Sequence, residues 1–287
     1  MKKSFVNYVI LMVLALIWGS SFILMKRGLE VYSYSQVAAL RLLIASISLF
    51  PFVFFALKKV KRKEWVPLLI SAVFGNGFPA FLFAKAQTQL DSSFIGILNS
   101  LTPLFTLMLA IIFFKLKPTR ANILGIVIGF IGAIYLTVFN WNIEIPIDKY
   151  VLYIVLATFF YAISINVIKY YLSELGSIHI SALTLLFVGP PMGIYIFNTD
   201  FMILVQNSAG VEALVFIVIL AVVGTSFAIV LFNQLLKKSS AIFASSVTYL
   251  IPIVAIVWGI LDAENILTQH IIGATIIFLG IYLANKK

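Results

Sequence analysis

Residues 72 to 103 recur as residues 221 to 252, at a constant offset of 149 and without a gap. Ala72 falls on Ala221, Val73 on Val222, Gly75 on Gly224 and Phe78 on Phe227. Leu82 and Phe83 fall on Leu231 and Phe232, Phe94 on Phe243, Leu101 on Leu250, and Pro103 on Pro252. Apolar matches arise easily in a hydrophobic chain, so the shared Gly, Phe and Pro positions carry most of the weight. The fold must therefore be assembled from two copies of one unit.

What medium that unit occupies follows from composition. Of 287 residues, 62% are hydrophobic and only 10% charged, whereas a soluble domain is nearer half apolar and a quarter charged. Such a chain has no water-compatible surface and belongs in lipid. It has no cysteine, which excludes a disulfide framework and a thiolate metal site.

About 20 mostly apolar residues cross the hydrocarbon as a helix. Ten stretches qualify, near 6–25, 35–57, 66–87, 92–114, 121–139, 149–171, 178–197, 213–236, 240–261 and 268–285. Gly189, Pro190 and Pro191 interrupt the seventh and predict a kink or a shortened helix. The first twenty residues also read as a signal peptide, with Lys2 and Lys3 before an apolar core and Ser20-Ser21. The stretch is long enough to span, and Ala15 and Arg27 match Ala157 and Lys169 in the second copy. Five spans precede the polar Asn140 to Lys149 segment and five follow it. Five is odd, so the second copy enters the bilayer from the opposite face. The expected fold is an all-α integral membrane protein of ten transmembrane helices, as two inverted five-helix repeats over 1–140 and 148–287.

Basic residues set the orientation. With the N-terminus inside, Lys2, Lys3, Lys58, Lys59, Lys61, Arg62, Lys63, Lys115, Lys117, Arg120, Lys169, Lys237, Lys238, Lys286 and Lys287 collect on the cytoplasmic side. Both termini are then cytoplasmic. The formal charge of +10 is an insertion signal rather than a nucleic-acid footprint.

The run Ala15-Leu16-Ile17-Trp18-Gly19-Ser20-Ser21-Phe22, then Lys26, then Ala39-Leu40-Arg41-Leu42-Leu43, resembles the opening of the EamA-type transporters of the drug/metabolite transporter (DMT) superfamily. So does Leu101-Thr102-Pro103-Leu104-Phe105 before the helix with Gly125, Gly129 and Gly132. The second copy repeats it as Leu250-Ile251-Pro252-Ile253, Glu264, Gly273 and Gly280. The resemblance spans essentially the whole chain and implies a bacterial inner-membrane permease, often an exporter of amino acids or related metabolites. The family usually carries a glutamate after the fourth span as well as the ninth; Lys115 stands in the first place here, and Glu264 keeps the second.

Polar residues within the spans point to a cavity independently of that resemblance. Asn99, Thr102 and Thr106 share one helix face, as do Ser245, Thr248 and Tyr249. Asn76 lies mid-span in the third stretch, with Thr225 and Ser226 in the matching place of the eighth. Trp18 with Ser21, and Tyr161 with Ser164, add two more weakly polar faces. A buried amide without a partner costs several kcal/mol, so these faces turn toward protein or water. Each has a plainer reading, since Ser and Thr in membrane helices commonly bond their own backbone. Pro103 and Pro252 remove a donor at equivalent places, which marks either a transporter site or a simple bend. The candidate substrate-binding residues are Trp18, Ser21, Asn76, Asn99, Thr102, Tyr161, Ser164, Thr248 and Tyr249.

Arg41 and Lys85 are the charges nearest the bilayer interior and are assigned to gating. Snorkelling to the outer surface is the alternative for both. Arg41 also has the chemistry to hold a substrate carboxylate, or to pair with Glu30 or Asp91. No Asp or Glu lies in the middle third of a span, so proton exchange through a buried carboxylate is not expected. The expected partners are a neutral or zwitterionic small-molecule solute and the lipid bilayer, with the chain a monomer or homodimer. Nucleic acid, metals and cofactors are not expected, and neither is enzymatic activity, for want of a nucleophile, base or metal cluster at depth. The competing readings are a non-transporting accessory or scaffold protein, and an importer of a different solute such as a sugar derivative.

Overall fold

The computed structural model describes residues 2–90, 92–138, 149–254, 258 and 268–284, and every regular element among them is helical. Besides a single turn at Phe201–Leu204, these are in chain order α1 (Lys2–Leu29), α2 (Tyr34–Leu57), α3 (Arg62–Ala86), α4 (Ser92–Asn99), α5 (Thr102–Phe114), α6 (Arg120–Val138), α7 (Lys149–Tyr171), α8 (Ser177–Phe197), α9 (Ser208–Lys238), α10 (Ala241–Val254) and α11 (Thr268–Ala284). Six of them (α1, α2, α3, α7, α8 and α9) have the length and apolar content to cross a bilayer. Their outward faces carry bare apolar side chains, among them Phe54 and Phe55 on α2, Phe113 on α5, and Ile194 and Phe197 on α8. An exterior of this kind needs lipid rather than water. The chain is a multi-pass helical membrane protein.

Local chemistry sets several boundaries. Ser33 opens α2 through a reciprocal cap: its Oγ accepts from Gln36 N at 3.3 Å, and Gln36 Oε1 accepts from Ser33 N at 2.9 Å. Ser240 caps α10 through its side chain, accepting from Phe243 N at 3.0 Å. The stretch expected as one helix over 92–114 is two, because α4 stops at Asn99 and α5 begins at Thr102. Pro103 sits in the first turn of α5, where its missing donor costs nothing. In α10 the matching region, Ser246–Tyr249, tightens to a 3-10 turn just before Pro252. The seventh predicted span is not shortened: α8 runs helical to Phe197 with Pro190 and Pro191 inside it. Gly189 has no side chain to collide with Ser46 of α2, and α2 and α8 form one of the two most extensive helix pairs.

The other extensive pair is α6 with α11. A side-chain carbon on Gly280 would meet the backbone of Gly129 and Gly125, and one on Gly125 would meet the backbone of Ala284. Small residues thus bring two backbones into direct contact, the favoured way to associate helices where lipid offers no hydrophobic drive. Asn122 Nδ2 closes the seam by donating to Ala284 O at 2.7 Å.

Two widened turns recur at the repeat offset. Val73–Gly77 in α3 and Val222–Phe227 in α9 both follow π-helical geometry. Such turns free backbone carbonyls and often mark functional sites. In α9 two hydroxyls reach carbonyls five residues back, Thr225 Oγ1 donating to Leu220 O at 3.1 Å and Ser226 Oγ lying 3.1 Å from Ala221 O and 3.0 Å from Ala45 O of α2.

Candidate functional site

The two widened turns face each other's copy across a central cavity. Gly75 of α3 lies against Ser164 of α7, and Gly224 of α9 lies against Ser21 of α1, each too close for a side chain at the glycine. Every widened turn is therefore pressed onto the opening helix of the other copy. Trp18 of α1 fixes this contact by donating from Nε1 to Gly224 O at 3.1 Å, a carbonyl within the widened turn.

The cavity offers about 140 Å³ to the centres of water-sized molecules, room for a small solute rather than for one trapped water. Trp18, Ser21, Asn76, Asn99, Thr102, Tyr161, Ser164 and Thr248 all line it, drawn from α1, α3, α4, α5, α7 and α10. Helices from both copies therefore supply its wall. Phe83 stacks on Tyr161 with ring centroids 5.7 Å apart, and Phe232 lies 5.3 Å from Trp18. These rings, with Phe22 and Met25, give the apolar part of the lining.

Tyr249 is not brought into the cavity. It is fully buried, donates from its hydroxyl to Ile126 O of α6 at 3.0 Å, and packs on Gly129. Its neighbour Thr248 lines the cavity, while the ring of Tyr249 is turned toward α6. Lys85 also lies off the wall, with its ammonium 4.1 Å above the ring of Tyr34.

Arg41 does line the cavity. Its Nε donates to Thr225 Oγ1 at 2.6 Å. Of the two acids considered as its partners, Glu30 pairs instead with Arg27 at 2.8 Å, and Asp91 lies outside the described residues. Glu264 lies outside them too. Sequence reasoning had noted Thr225 and Ser245 only as polar faces, and it missed Thr184 and Asn233, which also line the wall. Asn233 stands six residues beyond the widened turn and donates to Ser181 Oγ of α8 at 2.9 Å; its signal in the sequence was an amide inside an apolar run. Among the described residues no three His, Asp or Glu side chains gather to hold a metal ion.

The hydroxyls of the wall share one property. Ser21 donates to Ile17 O at 2.8 Å, Thr102 to Asn99 O at 2.8 Å, and Thr248 to Ser245 O at 3.0 Å. A hydroxyl has one proton and two lone pairs, so toward the cavity these groups act as acceptors.

Over its whole length the chain is 26% identical to an uncharacterized transporter of Archaeoglobus fulgidus, across 289 aligned residues and 100% of both proteins. It is 24% identical over 249 residues to an uncharacterized transporter encoded in the sor 3' region of Acidianus ambivalens, covering 87% of this chain and 92% of that one. A crystal structure superposes with a TM-score of 0.72 at 13% identity, over 97% of this chain and 96% of the other, and so shares the fold. The model of the EamA-like transporter family matches twice, at residues 6–138 and 148–286. A duplicated helical unit surrounding a polar cavity in lipid is thus placed by descent as well as by geometry, and the chain belongs to the EamA-like transporter family.

Proposed function

We propose that the chain is a permease that carries a small metabolite, an amino acid or a similar solute, out of a bacterial cell by alternating access. Ten spans in two inverted sets of five, 1–140 and 148–287, cross the inner membrane with both termini in the cytoplasm. The observation that carries this reading is the cavity itself: polar side chains from both copies meet in it, while large apolar side chains are exposed on the exterior. Two inverted sets exchange roles when the site turns from one face to the other, so the two states lie near one another in energy and a ligand needs only a small differential affinity to shift them. No carboxylate lines the cavity among the described residues, which favours gradient-driven flux over proton exchange.

Metabolite profiling of cells and medium with and without expression identifies the solutes that move. Flux of those solutes in proteoliposomes then tests the assignment directly. Saturable transport in vesicles without proton movement is the expected result. Absence of flux for every profiled solute overturns the reading.

A further inference from the structure

We propose that Arg41 docks a single carboxylate of the transported solute, and that the solute's other polar groups are N–H or O–H donors, as in an amino acid or hydroxy acid. The proposal rests on the reading that the cavity takes a solute, and its test separates the two.

Three observations converge on it. The guanidinium of Arg41 carries five N–H donors in a planar fork, and one of them, at Nε, is committed to Thr225 Oγ1 at 2.6 Å. Thr225 spends its own proton on Leu220 O at 3.1 Å, five residues back along α9. It therefore meets Arg41 only as an acceptor and fixes the fork's direction without neutralising its charge. Leu220 O thus orients the hydroxyl that orients the arginine.

Second, no described residue compensates the charge. Arg41 is the single charged side chain on the wall among the described residues and has no ion-pair partner among them. Glu30 is engaged with Arg27, and Asp200 accepts from Gln36 Nε2 at 2.6 Å. A cation in a low-dielectric wall is strongly disfavoured without an anion, and a carboxylate meets the fork with two parallel hydrogen bonds. Third, Ser21, Thr102 and Thr248 present lone pairs to the cavity, since their protons are bonded to backbone carbonyls. The wall thus offers one cationic donor group, hydroxyl lone pairs, and the amides of Asn76 and Asn99 with the Tyr161 hydroxyl, which can donate or accept; it complements a solute with an anionic end and donor groups beyond it.

The test uses the full-length protein in detergent and a panel of amino acids and hydroxy acids, each paired with its own carboxamide. At least one acid should raise the melting temperature while its amide does not. Arg41→Gln should weaken that acid by about tenfold or more, the loss of one charge-assisted contact, and Arg41→Lys should restore part of it. Thr225→Val, which keeps the charge and removes its anchor, should weaken binding by a smaller factor. Equal binding of acid and amide by the unaltered protein overturns the proposal without any variant, and so does the failure of every acid to bind. Retained acid binding in a folded Arg41→Gln protein also overturns it. Vesicle flux is scored separately: binding without flux removes the transport reading and leaves the docking site, whereas flux unchanged by Arg41→Gln does the reverse.

Discussion

The glycine seam between α6 and α11 gives a stability prediction that needs no knowledge of the solute. In Gly280→Ala the new carbon would lie 2.6 Å from Gly129 Cα and 2.8 Å from Gly125 O. Carbon contacts are favourable near 3.5–4.0 Å, so the two backbones must part by about 1 Å. Backbone atoms cannot swing aside as a side-chain tip can, and a gap of that size forfeits about a quarter to a half of each contact along the seam. Overpacking of this kind costs about 1–3 kcal/mol. Alanine also favours helix over glycine by about 1 kcal/mol, which partly hides the clash. Gly96→Ala in α4 removes that ambiguity, because its new carbon meets nothing nearer than 3.6 Å while gaining the same propensity. The difference between the two variants isolates the packing cost. At about 2 °C per kcal/mol for a chain of this size, Gly280→Ala should melt about 2–6 °C below Gly96→Ala at a fixed scan rate. Neither α6 nor α11 contributes to the cavity wall among the described residues, so solute affinity should be unchanged in the Gly280 variant. Two variants melting within about 1 °C of each other would refute the claim that backbone contact at this seam sets the spacing of α6 and α11.

Tyr249→Phe should lower stability by about 1 kcal/mol through loss of the bond to Ile126 O, with no change in solute affinity in the same binding titration. Trp18→Phe deletes the donor to Gly224 O and should reduce vesicle flux while insertion and yield stay normal; full flux would remove Trp18 from the site. Lys169→Met strips Leu236 O and Ser239 O of a donor bonded at 2.9 and 2.6 Å, and should loosen the end of α9, read as faster hydrogen exchange around residues 236–239. Lys85→Gln should leave solute affinity unaltered, since the ammonium rests on Tyr34 outside the cavity.

The apolar runs, their punctuation and the duplication were all written locally in the chain. Burial of a long hydrophobic segment depends on its own residues and the solvent, so the helical membrane class followed from composition and length alone. The paired Gly and Pro positions of the repeat fall where the structure departs from regular α-helix: Gly75 with Gly224 in the two widened turns, Pro103 in the first turn of α5 and Pro252 just after the 3-10 turn of α10. Helix rotation was a different matter. Thr248 and Tyr249 are adjacent and both read as cavity residues, yet one faces the wall and the other is drawn to a carbonyl 123 residues away. Arg41 was legible as an unusual charge, but its anchor on Thr225 lies 184 residues along the chain, and no local pattern encodes that meeting. Sequence by itself determined which segments leave water, because that free energy is additive along the chain; tertiary packing alone decided which side of each helix meets the cavity, because that choice belongs to pairs of helices and to no single one.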